Sequence, residues 1–114
     1  MGMTENLEAL IASGRDGAPV RFALASRYAA EGHLDKALEH AQVAVTLDAD
    51  YSAAWKLLGR VLADSGREGE AADAYRRGIE VAERRGDQQA AKEMRVFLKR
   101  LARARNDPSP EDDK

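Results

Sequence analysis

Apolar residues recur along the chain at intervals of three and four, not at every second position, so the pattern predicts helices and no strands. Glycines punctuate the pattern. From Pro19, whose missing N–H suits a first helical turn, Leu24, Ala25, Tyr28 and Ala29 form one stripe, and Gly32 ends it. A second stripe over residues 35–47 uses Leu38, Ala41, Ala44, Val45 and Leu47. Ser52, as an N-cap, opens a third with Trp55, Leu58, Gly59 and Leu62, stopped by Gly66. The fourth, residues 68–85, offers Ala71, Ala72, Tyr75, Ile79 and Val81 or Ala82, and Gly86 closes it. Asp87 caps a last helix, residues 87–105, which gathers Ala90, Ala91, Met94, Phe97, Leu98 and Leu101 on one side. Ahead of these, Met3, Leu7, Leu10 and Ile11 make a short amphipathic helix that stops at Gly14. About six helices are expected.

The stripes repeat. Gly32 and Gly66 lie 34 residues apart, as do Ala37 and Ala71. The same offset overlays Leu24 on Leu58, Ala25 on Gly59, Tyr28 on Leu62, Ala29 on Ala63, Ala44 on Gly78 and Val45 on Ile79. A fixed period of this length marks a stacked helical repeat, since one helix pair alone cannot bury its apolar face. Small residues at Ala25, Ala37, Gly59 and Ala71 allow two helices to approach closely, with Tyr28, Trp55 and Tyr75 filling the space beside each contact.

Residues 48–59, Asp-Ala-Asp-Tyr-Ser-Ala-Ala-Trp-Lys-Leu-Leu-Gly, followed by Leu62, Gly66, Ala71 and Tyr75, resemble a tetratricopeptide repeat. Leu24, Ala25, Tyr28, Gly32, Ala37 and Ala44 resemble a second copy, with Arg21 in place of the family's tryptophan. The resemblance spans 68 of the 114 residues, as repeats at 18–51 and 52–85. It implies an all-α fold, a short right-handed superhelix of antiparallel helix pairs within a single domain at 3–105. Residues 3–14 are read as the second helix of a truncated leading repeat and 87–105 as a capping helix. Two departures stand out: the proline usual after the second helix is Ala49 in one copy and Glu83 in the other. Gly78 also replaces the usual alanine, which by helix propensity alone loosens that helix by up to about 1 kcal/mol.

Composition narrows the function. With no cysteine, disulfides, thiolate metal sites and cysteine nucleophiles are excluded together, consistent with a reducing compartment. The 22 alanines and an aromatic content of 5% fit a helical core of small side chains. Residues 1–11 carry Glu5 and Glu8 and no basic-then-apolar segment, so no signal peptide is read there. No apolar run approaches the roughly 20 residues a membrane span needs, and the expected setting is cytoplasmic. His33 and His40 are the only histidines and are read as solvated surface residues, so no metal is expected. Residues 14–17, Gly-Arg-Asp-Gly, lack the preceding strand of a phosphate-cradling loop and read as a plain connection. Neither a catalytic constellation nor a cofactor motif can be argued from spacing.

Charge is segregated. Residues 84–105 carry eight Lys or Arg against Asp87 and Glu93, while residues 1–83 hold nine basic and 14 acidic groups. The stretch 106–114, with two prolines and four acids, is expected to be a disordered tail. A basic last helix offers Arg95, Lys99, Arg100 and Arg103 as an alternative surface for nucleic acid or an acidic partner. The overall pI is acidic, and the reading of a cap with a solvated outer face is favoured over nucleic-acid binding.

In the family, the first helices of successive repeats line a concave groove. By that resemblance the exposed groove positions here are Phe22, Ser26 and Ala30, then Lys56, Arg60 and Asp64, with Lys56 and Arg60 four apart and facing the same way. Met94 and Phe97 either add an apolar wall or pack against the preceding repeat. Members that clamp acidic carboxyl termini use Lys and Asn on the first helix and Asn on the second. The matching places here hold Phe22, Ser26 and Leu57, so that specialised clamp is disfavoured. The expectation is a non-enzymatic module for a protein or peptide partner, monomeric or weakly dimeric, without membrane attachment.

Overall fold

The computed structural model describes residues 2–106. Its helices are α1 (Met3–Ala12), α2 (Ala18–Ala30), α3 (Leu34–Leu47), α4 (Ser52–Asp64), α5 (Glu68–Arg84) and α6 (Gln88–Asn106), and the described residues form no strand. Three-residue connections fold α2 against α3 and α4 against α5 as antiparallel hairpins. Each hairpin stacks on the next, α3 on α4 and α5 on α6, and α2, α4 and α6 lie side by side along one face. The result is an elongated slab of about 56 × 31 × 18 Å.

The turns follow from their glycines. Gly32 and Gly66 have φ of 81° and 80°, a conformation that strains any residue with a Cβ. Each lets the chain double back so that His33 N–H donates to Tyr28 O and Arg67 N–H to Leu62 O, both at 2.9 Å. Those bonds satisfy carbonyls the helix end would otherwise leave orphaned. Pro19 sits in the first turn of α2 as expected, and Asp87 Oδ1 accepts the Ala90 N–H at 3.1 Å, capping α6. Ser52 is not the cap of α4. Asp48 accepts the Asp50 N–H at 3.0 Å and tightens the preceding turn, so the helix begins a residue earlier, with Tyr51 at the cap position. The expected acidic tail lies outside the described residues except for Asn106, which ends α6.

The core is a spine of alanines flanked by a few large wedges. Ala25, Ala37, Ala41, Ala44, Ala54, Ala71, Ala82 and Ala91 are wholly buried, and Leu24, Val61 and Met94 fill the larger gaps. Two stripes overreach at helix ends, where Met3 and Leu47 stay 54% and 52% exposed. α1 buries no residue completely. It leans on α2 through Leu7 and Ile11, with the Tyr28 hydroxyl donating to Glu8 Oε2 at 2.6 Å.

Gly78 has a reason that helix propensity missed. A Cβ built there would lie 2.8 Å from Trp55 Cβ and would also collide with the Met94 sulfur, so only glycine lets α5 lie this close to α4 and α6. Gly59 serves the same contact from the other side, because its Cβ would stand 2.6 Å from the Tyr75 ring.

His40 corrects the expectation of a solvated surface histidine: it is only 6% exposed. Its ring stacks on Tyr28 with centroids 5.6 Å apart and planes 7° from parallel. Arg21 Nη1 lies 3.0 Å from His40 Nδ1 while its Nε and Nη2 grip both oxygens of Asp16 at 2.8 Å. A guanidinium only donates, so Nδ1 accepts and the ring proton sits on Nε2, 3.9 Å from Glu8 Oε2. The 34-residue offset explains the pairing. Arg21 and His40 stand where the next hairpin has Trp55 and Ala74, so a large indole beside a methyl is replaced by a guanidinium beside an imidazole. Trp55 meets its own polar need differently, donating from Nε1 to Ala49 O at 2.8 Å.

Two stability measurements probe this packing. Gly78→Ala should destabilise the protein by about 1–3 kcal/mol in urea unfolding through overpacking, whereas propensity alone would stabilise it by about 1 kcal/mol. For the histidine pair, Arg21→Trp and His40→Ala should each lower stability. The double variant, which copies the second hairpin, should cost less than their sum, with a coupling of about 0.5–3 kcal/mol.

Candidate functional site

The face built from α2, α4 and α6 carries two adjoining hollows. The smaller, about 220 Å³, is bounded by Ser26, Ala29 and Ala30 of α2 and by Leu57, Arg60, Val61 and Asp64 of α4. The larger, about 450 Å³, lies between α4 and α6 and is lined by Arg60, Ala63, Asp64, Tyr75, Phe97, Arg100, Leu101 and Ala104. Arg60 and Asp64, one helical turn apart, border both and form the ridge between them.

The larger hollow has an apolar floor with charged rims. Tyr75 lies against Gly59, and Phe97 packs on Tyr75 with ring centroids 5.7 Å apart. Phe97, Arg100, Leu101 and Ala104 fall at helical spacing on one face of α6. The Arg100 guanidinium stands 5.9 Å from the Phe97 ring centre. Neither Arg60 nor Arg100 takes part in an ion pair among the described residues.

The structure sorts the expected groove residues into three groups. Ser26, Arg60 and Asp64 line the hollows. Phe22 is half-buried beside them, its ring 5.1 Å from that of Tyr51 and packed on the core, so it serves as scaffold as much as surface. Lys56 does not stand free beside Arg60: its Nζ is 2.7 Å from Glu93 Oε1, and Gln89 holds the other Glu93 oxygen at 3.1 Å. Lys56, then Gln89, hold the Glu93 carboxyl below the usual range. The Lys56–Glu93 contact fastens α4 to α6.

The alternative basic surface is divided as well. Arg95 pairs with Glu83, Arg100 lines the hollow, and Lys99 and Arg103 are exposed without an ion pair among the described residues. Of the two candidates for an apolar wall, Met94 is wholly buried against Gly78, whereas Phe97 forms the floor. Sequence reasoning assigned Tyr75 to packing and Arg100 to an outer face. The positions of Phe97, Arg100, Leu101 and Ala104, spaced by three, one and three, were the signal that places Arg100 beside the aromatic ring.

All three phenols have displaced ionisations, Tyr51 being raised by burial and then by the nearby Asp48 charge. The Glu8 carboxylate accepting its proton, together with burial, pushes the Tyr28 phenol up to about 12. Burial first, then the nearby negative charge of Asp64, pushes Tyr75 up to about 12 as well. Tyr75 therefore stays neutral in the floor of the hollow at any physiological pH. Among the described residues no three His, Cys, Asp or Glu side chains gather to hold a metal ion, and no helix is long and apolar enough to cross a membrane.

Comparison with known proteins places this geometry. A search of family models matched none. A tetratricopeptide (TPR) repeat-containing protein of Pseudomonas aeruginosa is 45% identical over 103 residues, 90% of this chain and 98% of that protein. The chain belongs to the tetratricopeptide repeat family. A solution structure of a Bordetella parapertussis protein superposes with a TM-score of 0.79 at 44% identity, covering 91% of this chain and 90% of the other. The crystal structure of a tetratricopeptide repeat domain protein from Salinibacter ruber gives 0.72 at 28% identity, covering 76% of this chain and 97% of that one. The all-α superhelix of helix pairs implied by the repeat pattern is thus shared with experimental tetratricopeptide structures.

Tyrosine ionisation gives a direct check on the floor. A phenol whose folded pKa exceeds its unfolded value of about 10 contributes stability below pH 10 and loses it as pH rises toward 12. The melting temperature should therefore fall between pH 10 and 12, and Tyr75→Phe should show a smaller fall over the same interval.

Proposed function

We propose that this tetratricopeptide repeat protein is a non-enzymatic interaction module that holds a peptide or helix of a partner protein on its concave face. The observation that carries the reading is the adjoining pair of hollows on α2, α4 and α6, apolar at the base and bordered by Arg60 and Arg100, which have no ion pair among the described residues. Such a surface supplies apolar area for affinity and fixed charges for orientation. The fold itself generally serves protein–protein interaction. Ser26, Arg60 and Asp64 meet the partner in this reading, while Phe22 and Lys56 shape the groove by their contacts within the chain.

One short groove provides only part of the roughly 800 Å² per partner of a standard interface. Weak to moderate affinity follows, with the protein a monomer or weak homodimer. A cysteine-free chain of this kind suits the cytoplasm. The alternative, nucleic acid or another acidic partner across Arg95, Lys99, Arg100 and Arg103, has less support for nucleic acid. Arg95 is compensated by Glu83, and Arg100 belongs to the hollow.

Affinity enrichment from a lysate of the producing cell, read by mass spectrometry, tests the face used. Ser26→Arg/Arg60→Glu should lose the partners that the wild type retains, and Thr46→Arg, on the exposed outer side of α3, should keep them. Retention by the groove variant with loss by the Thr46 variant would show that the convex side is the binding surface.

A further inference from the structure

The larger hollow has the chemistry to choose its ligand, and the choice rests on the groove reading above. Its floor is two aromatic rings, Tyr75 and Phe97, with Ala63, Leu101 and Ala104 around them. A space of about 450 Å³ with such a base accommodates one bulky apolar side chain from an extended segment. Its rim holds two arginines against one acid, Asp64. Several other cations, Lys99 and Arg103 among them, also lack an ion pair among the described residues, but Arg60 and Arg100 are the two that line the hollow with Tyr75 and Phe97. They stand on facing helices, one on α4 and one on α6, so a carboxylate over the hollow can be met from both sides. Arginine suits this task because its planar donor fork matches a carboxylate in two-point contact. The excess positive charge of residues 84–105 also draws an acidic segment toward this side of the molecule.

We propose that the α4–α6 hollow recognises an acidic linear segment of a partner protein, seating one aromatic or large aliphatic side chain on Tyr75 and Phe97 and holding an adjacent carboxylate with Arg60 and Arg100. The neighbouring α2–α4 hollow, smaller and reached past Ser26, carries the continuation of that segment. Asp64 sets a polarity along the groove, since it repels a second carboxylate placed on its side of the ridge.

Three fluorescein-labelled hexapeptides test the assignment by fluorescence anisotropy against the full chain, with amide shifts recorded in parallel: Gly-Glu-Phe-Glu-Glu-Gly, the same peptide with alanine for phenylalanine, and one with lysine for each glutamate. The acidic phenylalanine peptide should bind at least ten-fold more tightly than either of the others. Its shifts should centre on Arg60, Asp64, Tyr75, Phe97 and Arg100. Arg60→Glu/Arg100→Glu should weaken it at least ten-fold with unchanged circular dichroism, and the effect should reverse in sign for the lysine peptide. Equal binding of all three peptides, or shifts centred on another face, would overturn the proposal. So would self-association abolished by Arg60→Glu, which makes a second copy the occupant. Truncation after Asn106 that tightens the acidic peptide more than ten-fold would assign the hollow to residues 107–114 and equally overturn it. The two readings fail separately: no selectivity among the peptides, while the Ser26→Arg/Arg60→Glu variant still loses its cellular partners, removes only the ligand chemistry. Partners retained by that variant remove the groove itself.

Discussion

The closeness of α4 to α5 governs the rest of this molecule. At Gly59 and Gly78 the two backbones come near enough that a single methyl group on either would meet a neighbour at less than 3 Å. That approach seats the Tyr75 ring against Gly59 of α4 and the Met94 side chain against Gly78 of α5. Phe97 then rests on Tyr75, so the floor of the larger hollow is a consequence of helix packing and not a separate construction. Burying side chains such as Met94 and Tyr75 contributes about 1.5–3 kcal/mol each, and loss of the close contact would withdraw much of it. The scaffold and the candidate site therefore share their residues.

The two hairpins reach similar geometry by different chemistry. In the second, Trp55 fills the space beside Ala74 and needs one acceptor, which Ala49 supplies. In the first, Arg21 and His40 occupy the corresponding places, and a buried imidazole beside a partly buried guanidinium requires a wider circuit that includes Asp16, Tyr28 and Glu8. That circuit also draws α1 and the loop after it onto the stack. α1 has little apolar burial of its own, so its position depends on this polar contact more than any other helix does.

Electrostatics divides the surface into stitched and open regions. Ion pairs such as Arg67–Glu70 and Arg76–Asp73 lie within one helix turn at exposed sites, where each is worth about 0–1 kcal/mol. Lys56–Glu93 and Arg95–Glu83 join different helices and help set where α6 lies. Arg60 and Arg100 have no ion pair among the described residues and border the hollow whose floor is Tyr75 and Phe97. Net charge conceals this, because the positive surplus of residues 84–105 is outweighed by acidic residues elsewhere in the chain.

Much of the fold was legible along the chain. Helical periodicity, the turn glycines and the 34-residue offset locate the helices to within a residue or two and identify the repeat, because each depends on local backbone preference and on spacing. Local reasoning failed wherever a residue's meaning lies in what stands opposite it. Gly78 looked like a weak helix residue until Trp55 and Met94 were seen beside it. His40 looked solvated because its stacking partner lies 12 residues earlier and its polar partner 19 earlier. Lys56 looked available because Glu93, 37 residues away, is invisible to helical spacing. Arg100 looked outward-facing, although its spacing from Phe97 placed both on one face. What the sequence determined by itself is the alphabet of helices and the small residues that let them approach. Only the tertiary structure decided which charges are answered within the chain and which are left facing the groove, because pairing depends on distances across helices that no periodicity encodes.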